Sequence, residues 1–208
     1  MAVKLKLILL LLFAIGTSSP ACADESISGL WSSVARTKGG LGRQWQFSTN
    51  GNATATFGAV VNFHYEVQGD KLRMRLAGSS ADPSAEESVQ SYNLHGDELI
   101  IRPANAKERQ VMKRVGIARK GTDPIVGEWE FKHYTGGMAT FRYGRNKNAL
   151  LSVPMQSATG AYRVQGNMLS VSFPGKPQYF RRIRQTDGRL IFLATTKEPE
   201  EVYERAPE

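Results

Sequence analysis

Three histidines, His64, His95 and His133, are the side chains best suited to metal or proton-transfer chemistry, and their spacing argues against most of it. His64 alternates with Phe63 and Tyr65, so it shares the opposite strand face with Asn62 and Glu66, a pattern of solvent exposure. His95 stands in a turn beside Gly96. Neither has a ligand-type partner at i+2 or i+4, so zinc ligation at the usual spacings is unsupported. His133 differs, because it keeps the strand phase of Trp129 and Phe131 and is expected on the same face as those rings. Hydrolytic chemistry finds no support: there is no Gly-x-Ser-x-Gly elbow, no pair of carboxylates set for acid–base work, and no glycine-rich phosphate loop opening a helix. The residues therefore point away from an enzyme, and no cofactor or metal is expected.

What remains is binding chemistry. Aromatic and basic side chains interleave at Tyr179, Phe180, Arg181 and Arg182, and together with His133, Phe131 and Tyr143 the arginine Arg181 is expected to contact a ligand. Such interleaving also suits a nucleic-acid surface, a partner an exported protein rarely meets, and no nucleic-acid partner is expected. Asn52-Ala53-Thr54 matches a glycosylation acceptor, which matters only in a eukaryotic secretory pathway.

The elements that must position these residues occur twice. YEVQGDKLRM, from Tyr65, returns as YRVQGNMLSV, from Tyr162, an offset of 97 positions (162 minus 65). Gly-Asp or Gly-Asn between alternating apolar residues is the chemistry of a two-residue hairpin turn, because these residues tolerate positive φ. Around this hairpin the rest also repeats. Both copies open on Ile-x-Gly-x-Trp, at Ile27 to Trp31 and Ile125 to Trp129. Gly39-Gly40 answers Gly136-Gly137, Trp45-Gln46-Phe47 answers Phe141-Arg142-Tyr143, and the turn from Ser48 answers the turn from Gly144. The copies close on Val-x-x-Arg, at Val111 to Arg114 and Val202 to Arg205, and GIARKGTDP, from Gly116 to Pro124, lies between them. A period this long must be recognised before a fold is assigned.

No stretch sustains a helical period, and turn signals recur every ten residues or so, which predicts an all-β chain. Each copy reads as about eight short strands in roughly 90 residues, and an antiparallel sheet of that kind removes its open edges by curling into an up-and-down barrel. The closing neighbours would be the Ile-x-Gly-x-Trp and Val-x-x-Arg strands of one copy, with Trp31 stacked on Arg114 and Trp129 on Arg205 as cation–π contacts. Gly-x-Trp on the first strand with an arginine near the end of the last resembles the lipocalin-like, or calycin, barrels, here present twice. Each copy is shorter than a full lipocalin and lacks a long lid loop after the first strand. Short lipocalin-like domains of exported bacterial proteins are the nearer likeness.

The expected organisation is a signal peptide over residues 1–23, a barrel over 24–116, a linker over 117–124 and a second barrel over 125–208. Lys4 and Lys6, an apolar run to Ile15 and Ala21-Cys22-Ala23 form a secretory signal with cleavage after Ala23. Cleavage there removes the single cysteine, so disulfides are not expected, and a lipid-modified Cys22 is the alternative outcome. The mature chain starts at Asp24 and carries a formal charge of +6, after Lys4 and Lys6 are subtracted from +8. Much of that excess lies between Phe180 and Arg189. The function expected is that of a periplasmic or secreted, non-enzymatic binding protein with a small apolar or anionic ligand in a barrel mouth. The alternative is an envelope-surface or protein-interaction module with solid barrels and basic strand faces.

Overall fold

The computed structural model describes residues 26–77, 87–103, 108–118 and 121–208. The expected signal peptide, its cleavage point at Asp24 and Cys22 lie outside the described residues, as does most of the loop before Ser88. Fourteen antiparallel strands make up the described structure: β1 (Gly29–Ser33), β2 (Leu41–Phe47), β3 (Asn52–Gln68), β4 (Lys71–Leu76), β5 (Ser88–His95), β6 (Glu98–Pro103), β7 (Gln110–Val115), β8 (Gly127–Lys132), β9 (Met138–Tyr143), β10 (Asn148–Gln165), β11 (Met168–Ser172), β12 (Tyr179–Thr186), β13 (Arg189–Phe192) and β14 (Glu201–Arg205). The sheet closes on itself as a ring, and β3 and β10 also pair across it. The fold is barrel-like and all-β, with no helix among the described residues.

The β3–β10 pairing divides the sheet into two closed circuits of eight strands. The first ring runs β1, β2, β3, β10, β11, β12, β13, β14 and back to β1. The second runs β3, β4, β5, β6, β7, β8, β9, β10 and back to β3. Each ring has its own apolar core, one around Trp31, Trp45, Phe47 and Phe192, the other around Tyr65, Trp129, Phe141 and Tyr143.

This division corrects the expected domain boundaries. Neither ring corresponds to residues 24–116 or to 125–208, because β1, β2 and the first half of β3 close with β10 to β14 of the second copy. The rest of the first copy closes with β8, β9 and the first half of β10. The segment 117–124 is not a hinge between domains, since β7 and β8 on either side of it pair directly, Arg114 opposite Trp129. The physical cause is the length of β3 and β10, 17 and 18 residues. At about 3.4 Å per residue, such strands extend roughly 55 Å, so each runs through both rings instead of turning back within one. The expected eight short strands per copy are therefore seven, the third of double length.

The crossing point is marked chemically. Gly58 stands opposite Pro154, and these two occupy equivalent places in the copies, 96 positions apart (154 minus 58), as Ser48 and Gly144 do. The internal two-fold relation of the repeat thus passes between them. A Cβ on Gly58 would lie 2.2 Å from the Val153 carbonyl oxygen, so only glycine permits this approach. Register shifts between Pro154 and Gln156, a bulge of the kind where proline is tolerated within a sheet.

The repeated tyrosine hairpin also joins the copies. Tyr65 Oη donates to the Gly144 carbonyl at 2.8 Å, and Tyr162 Oη donates to the Ser48 carbonyl at 3.2 Å. Each tyrosine fastens the polar turn of the other copy.

Candidate functional site: the mouth of the first ring

Both rings are closed at one end by the same device. Trp31 Nε1 donates to the Ile27 carbonyl at 2.7 Å and Trp129 Nε1 to the Ile125 carbonyl at 2.8 Å, so the chain entering each first strand folds under its own indole. The Arg205 guanidinium lies 4.4 Å from the Trp31 ring centre, and that of Arg114 4.0 Å from Trp129. Arg205 also donates to the Ser28 carbonyl, and Arg114 to the carbonyls of Val126 and Pro124. The expected residues close the rings, but with partners exchanged: the pairs Trp31–Arg114 and Trp129–Arg205 are not formed, because first and last strands from different copies meet. The glycine of Gly-x-Trp has a direct role. A Cβ on Gly29 would fall 2.5 Å from an Arg205 nitrogen and one on Gly127 2.7 Å from an Arg114 nitrogen, and both glycines hold positive φ.

The opposite mouth of the first ring is open. Phe173 and Tyr179 flank a cavity of about 310 Å³ floored by Trp45, with Ala55 and the exposed ring of Phe57 on the β3 side and Arg43 and Lys176 on the rim. Trp45 lies 6.0 Å from Tyr179 and 6.3 Å from Phe173, centre to centre, and is stacked on Phe47 at 5.6 Å. Alternation on β2 turns Arg43, Trp45 and Phe47 to the interior, and the FPGKPQ turn between β11 and β12 brings Phe173, Lys176 and Tyr179 to the same mouth. Below the floor, Phe47 and Phe192 are fully buried, so the ring is filled beneath a cup.

A polar network fixes the floor. Trp45 Nε1 donates to Tyr203 Oη at 3.3 Å, Tyr203 Oη donates to Glu201 at 2.5 Å, and the other Glu201 oxygen accepts from Arg43 at 2.5 Å. Burial, followed by the hydrogen bond to Glu201, pushes the Tyr203 phenol well above its ordinary range. Burial likewise pushes Tyr179 up to about 12. Both phenols stay neutral at physiological pH.

The residues expected to contact a ligand do not converge. Tyr143 is fully buried in the second ring, edge-on to Tyr65 at 5.1 Å, and burial raises its phenol far beyond the ordinary range. Phe131 belongs to the same core. His133 is half-buried just beyond β8, 2.9 Å from the Thr135 hydroxyl and against the Tyr134 ring. Arg181 lies in the first ring, 1% exposed, and is held by Glu198 and by the Pro199 carbonyl. It pins the β13–β14 loop and is not free for a ligand. His64 and His95 are exposed. No group of three metal-ligating side chains occurs among the described residues.

Trp45, Phe57 and Phe173 were not singled out by sequence reasoning. Trp45 carried a signal in its spacing from Phe47, but nothing local distinguishes an aromatic at a mouth from one in a core. Comparison of the chain with protein-family models, with curated proteins and with solved structures gives no match in any of the three.

Proposed function

We propose that this is an exported, non-enzymatic binding protein whose two rings are lipocalin-like barrels, and that the first ring takes a small, flat, apolar ligand bearing an anionic group. The observation that carries this reading is the mouth of the first ring, an aromatic cup floored by Trp45 and flanked by Phe173 and Tyr179, with two cations on its rim. A pocket of a few hundred Å³, mostly apolar with a few placed polar groups, has the dimensions of a small-molecule site. The Arg43–Glu201 pair is exposed on the arginine side, 61%, and exposed pairs contribute little, so an incoming anion can replace the carboxylate at small cost. Lys176 supplies a second charge. The secretory signal read from Lys4 to Ala23 supports export to a periplasm or the medium.

The test is a titration of the mature protein with the fluorescent probe 1-anilinonaphthalene-8-sulfonate, read by tryptophan quenching. Trp31 and Trp129 are fully buried beneath arginines, which leaves Trp45 as the reporter at the mouth. Saturable one-site quenching, weakened by Arg43→Gln, by Lys176→Gln and by Phe57→Ser, is expected. Absence of saturation, or saturation indifferent to all three substitutions, rejects the site.

A further inference from the structure

From Phe131 to Thr186 the sequence carries nine lysines and arginines and no aspartate or glutamate. The fold gathers part of this excess on the outer face of the first ring. On β12 the even residues point outward, so Phe180, Arg182 and Arg184 are exposed in succession, about 7 Å apart at i, i+2. Arg163 projects from β10 on the same face. Strand register sets these side chains side by side: Arg163 pairs with Ser170, Ser170 with Phe180, and Met168 with Arg182. Phe180 is 57% exposed and Met168 36%, and they are diagonal neighbours across β11 and β12, within reach of each other.

Some outward arginines elsewhere are matched with acids, as Arg73 with Glu87, Arg142 with Glu128 and Arg189 with Glu204, while Arg75, Arg102 and Arg145 are exposed singly. Arg163, Arg182 and Arg184 form no ion pair among the described residues. Two exposed apolar side chains thus sit amid three guanidinium groups without an acidic partner on one outer sheet face.

We propose that the β10–β12 face docks the protein on an anionic lipid surface, Phe180 and Met168 entering the headgroup layer and Arg163, Arg182 and Arg184 contacting lipid phosphates. Charge complementarity selects an anionic partner, and the apolar pair at the centre selects a bilayer over a soluble polyanion. A polyanion would satisfy the arginines and leave Phe180 and Met168 in water, whereas an interface takes both kinds of group at once. Guanidinium groups suit phosphate because their planar fork donates in parallel. This face is separate from the aromatic mouth, and its failure would leave ligand binding untouched.

Co-sedimentation of the mature chain with vesicles of phosphatidylglycerol and phosphatidylcholine, against phosphatidylcholine alone, tests the proposal. Binding is expected to anionic vesicles only and to fall as salt rises. The variant Arg182→Gln/Arg184→Gln should weaken it about 25-fold, near fivefold for each charge. Phe180→Ser should weaken it as well, while Lys113→Gln on the second ring should not. All these positions are on the surface, and far-UV circular dichroism checks that each variant is folded. The proposal is overturned if anionic vesicles do not bind, if binding ignores both β12 variants, or if heparin binds as well as vesicles with Phe180→Ser having no effect on either.

Discussion

Arg205 lies over Trp31, a tryptophan of the other copy, with its guanidinium carbon 4.4 Å from the ring centre. Arg114 takes the reciprocal place over Trp129 at 4.0 Å. Two chemically identical closures are thus each made between copies. A desolvated cation–π contact is worth about 2 kcal/mol, and the arginine stem adds packing over the ring. In double-mutant cycles on thermal or urea unfolding, Trp31→Phe with Arg205→Ala should show a coupling of about 1 to 2 kcal/mol. Trp31→Phe with Arg114→Ala should be additive. Coupling in the second cycle and not the first would contradict the exchange of partners.

The mixing of copies predicts how the chain responds to a cut. A protease site placed between Gly116 and Pro124 leaves the β7–β8 pairing and both cores intact. The nicked protein should stay associated through size exclusion and keep its far-UV spectrum. Two separately migrating folded fragments would refute the strand exchange.

Gly58 and Gly160 face backbone at closer than contact distance. A Cβ at Gly160 would lie 2.1 Å from the Ser172 carbonyl oxygen, as one at Gly58 would from that of Val153. Backbone cannot swing aside as a flexible side chain does, so Gly58→Ala and Gly160→Ala should each lose about 1 to 3 kcal/mol, the usual cost of overpacking. Gly69→Ala provides the contrast: its Cβ meets nothing within 4 Å and only its φ of +59° opposes substitution. Chemical denaturation of the three variants measures the difference.

The tyrosines set an alkaline limit. Burial raises Tyr65 and Tyr179 to about 12, and Tyr143 and Tyr203 further. In the unfolded chain these phenols ionise near 10. Between that pH and the folded values the unfolded state binds fewer protons, so stability is fully present below about pH 10 and falls as pH rises. Phenolate absorbance of the buried rings should therefore appear together with loss of near-UV circular dichroism. Ionisation of all tyrosines near pH 10 with the fold intact would refute their burial.

Much of this architecture is written locally. The Gly69-Asp70 and Gly166-Asn167 turns, the alternation through Trp45 and Phe47, and the Gly-x-Trp entry to β1 and β8 each depend on a few neighbouring residues, and each is found in place. The partner of each closure is not local information. Both copies carry the same frame, so Trp31 meets the same chemistry in Arg114 as in Arg205. The choice is made at Phe57-Gly58-Ala59 and Val153-Pro154-Met155, which lack the Asn-Gly or Asp-Gly pair a hairpin would use. The odd-numbered face of β3 continues unbroken from Ala53 to Val67. The mouth was illegible for a similar reason, since Trp45 and Tyr179 meet only through closure of the ring.

The exchange of halves makes the second ring an insertion within the first. Everything from the middle of β3 to the middle of β10 belongs to the second ring, while β1 finds its second partner, β14, only at Arg205. As the chain emerges from a ribosome, the inner ring can complete itself once β10 has appeared. The outer edge of β1 must wait unpaired until β14 has been made. Such delayed, distant pairing is slow and exposes strand edges to other chains. The first ring, which holds the aromatic mouth, is thus the last part of the molecule to close and the part most in need of protection while it is made.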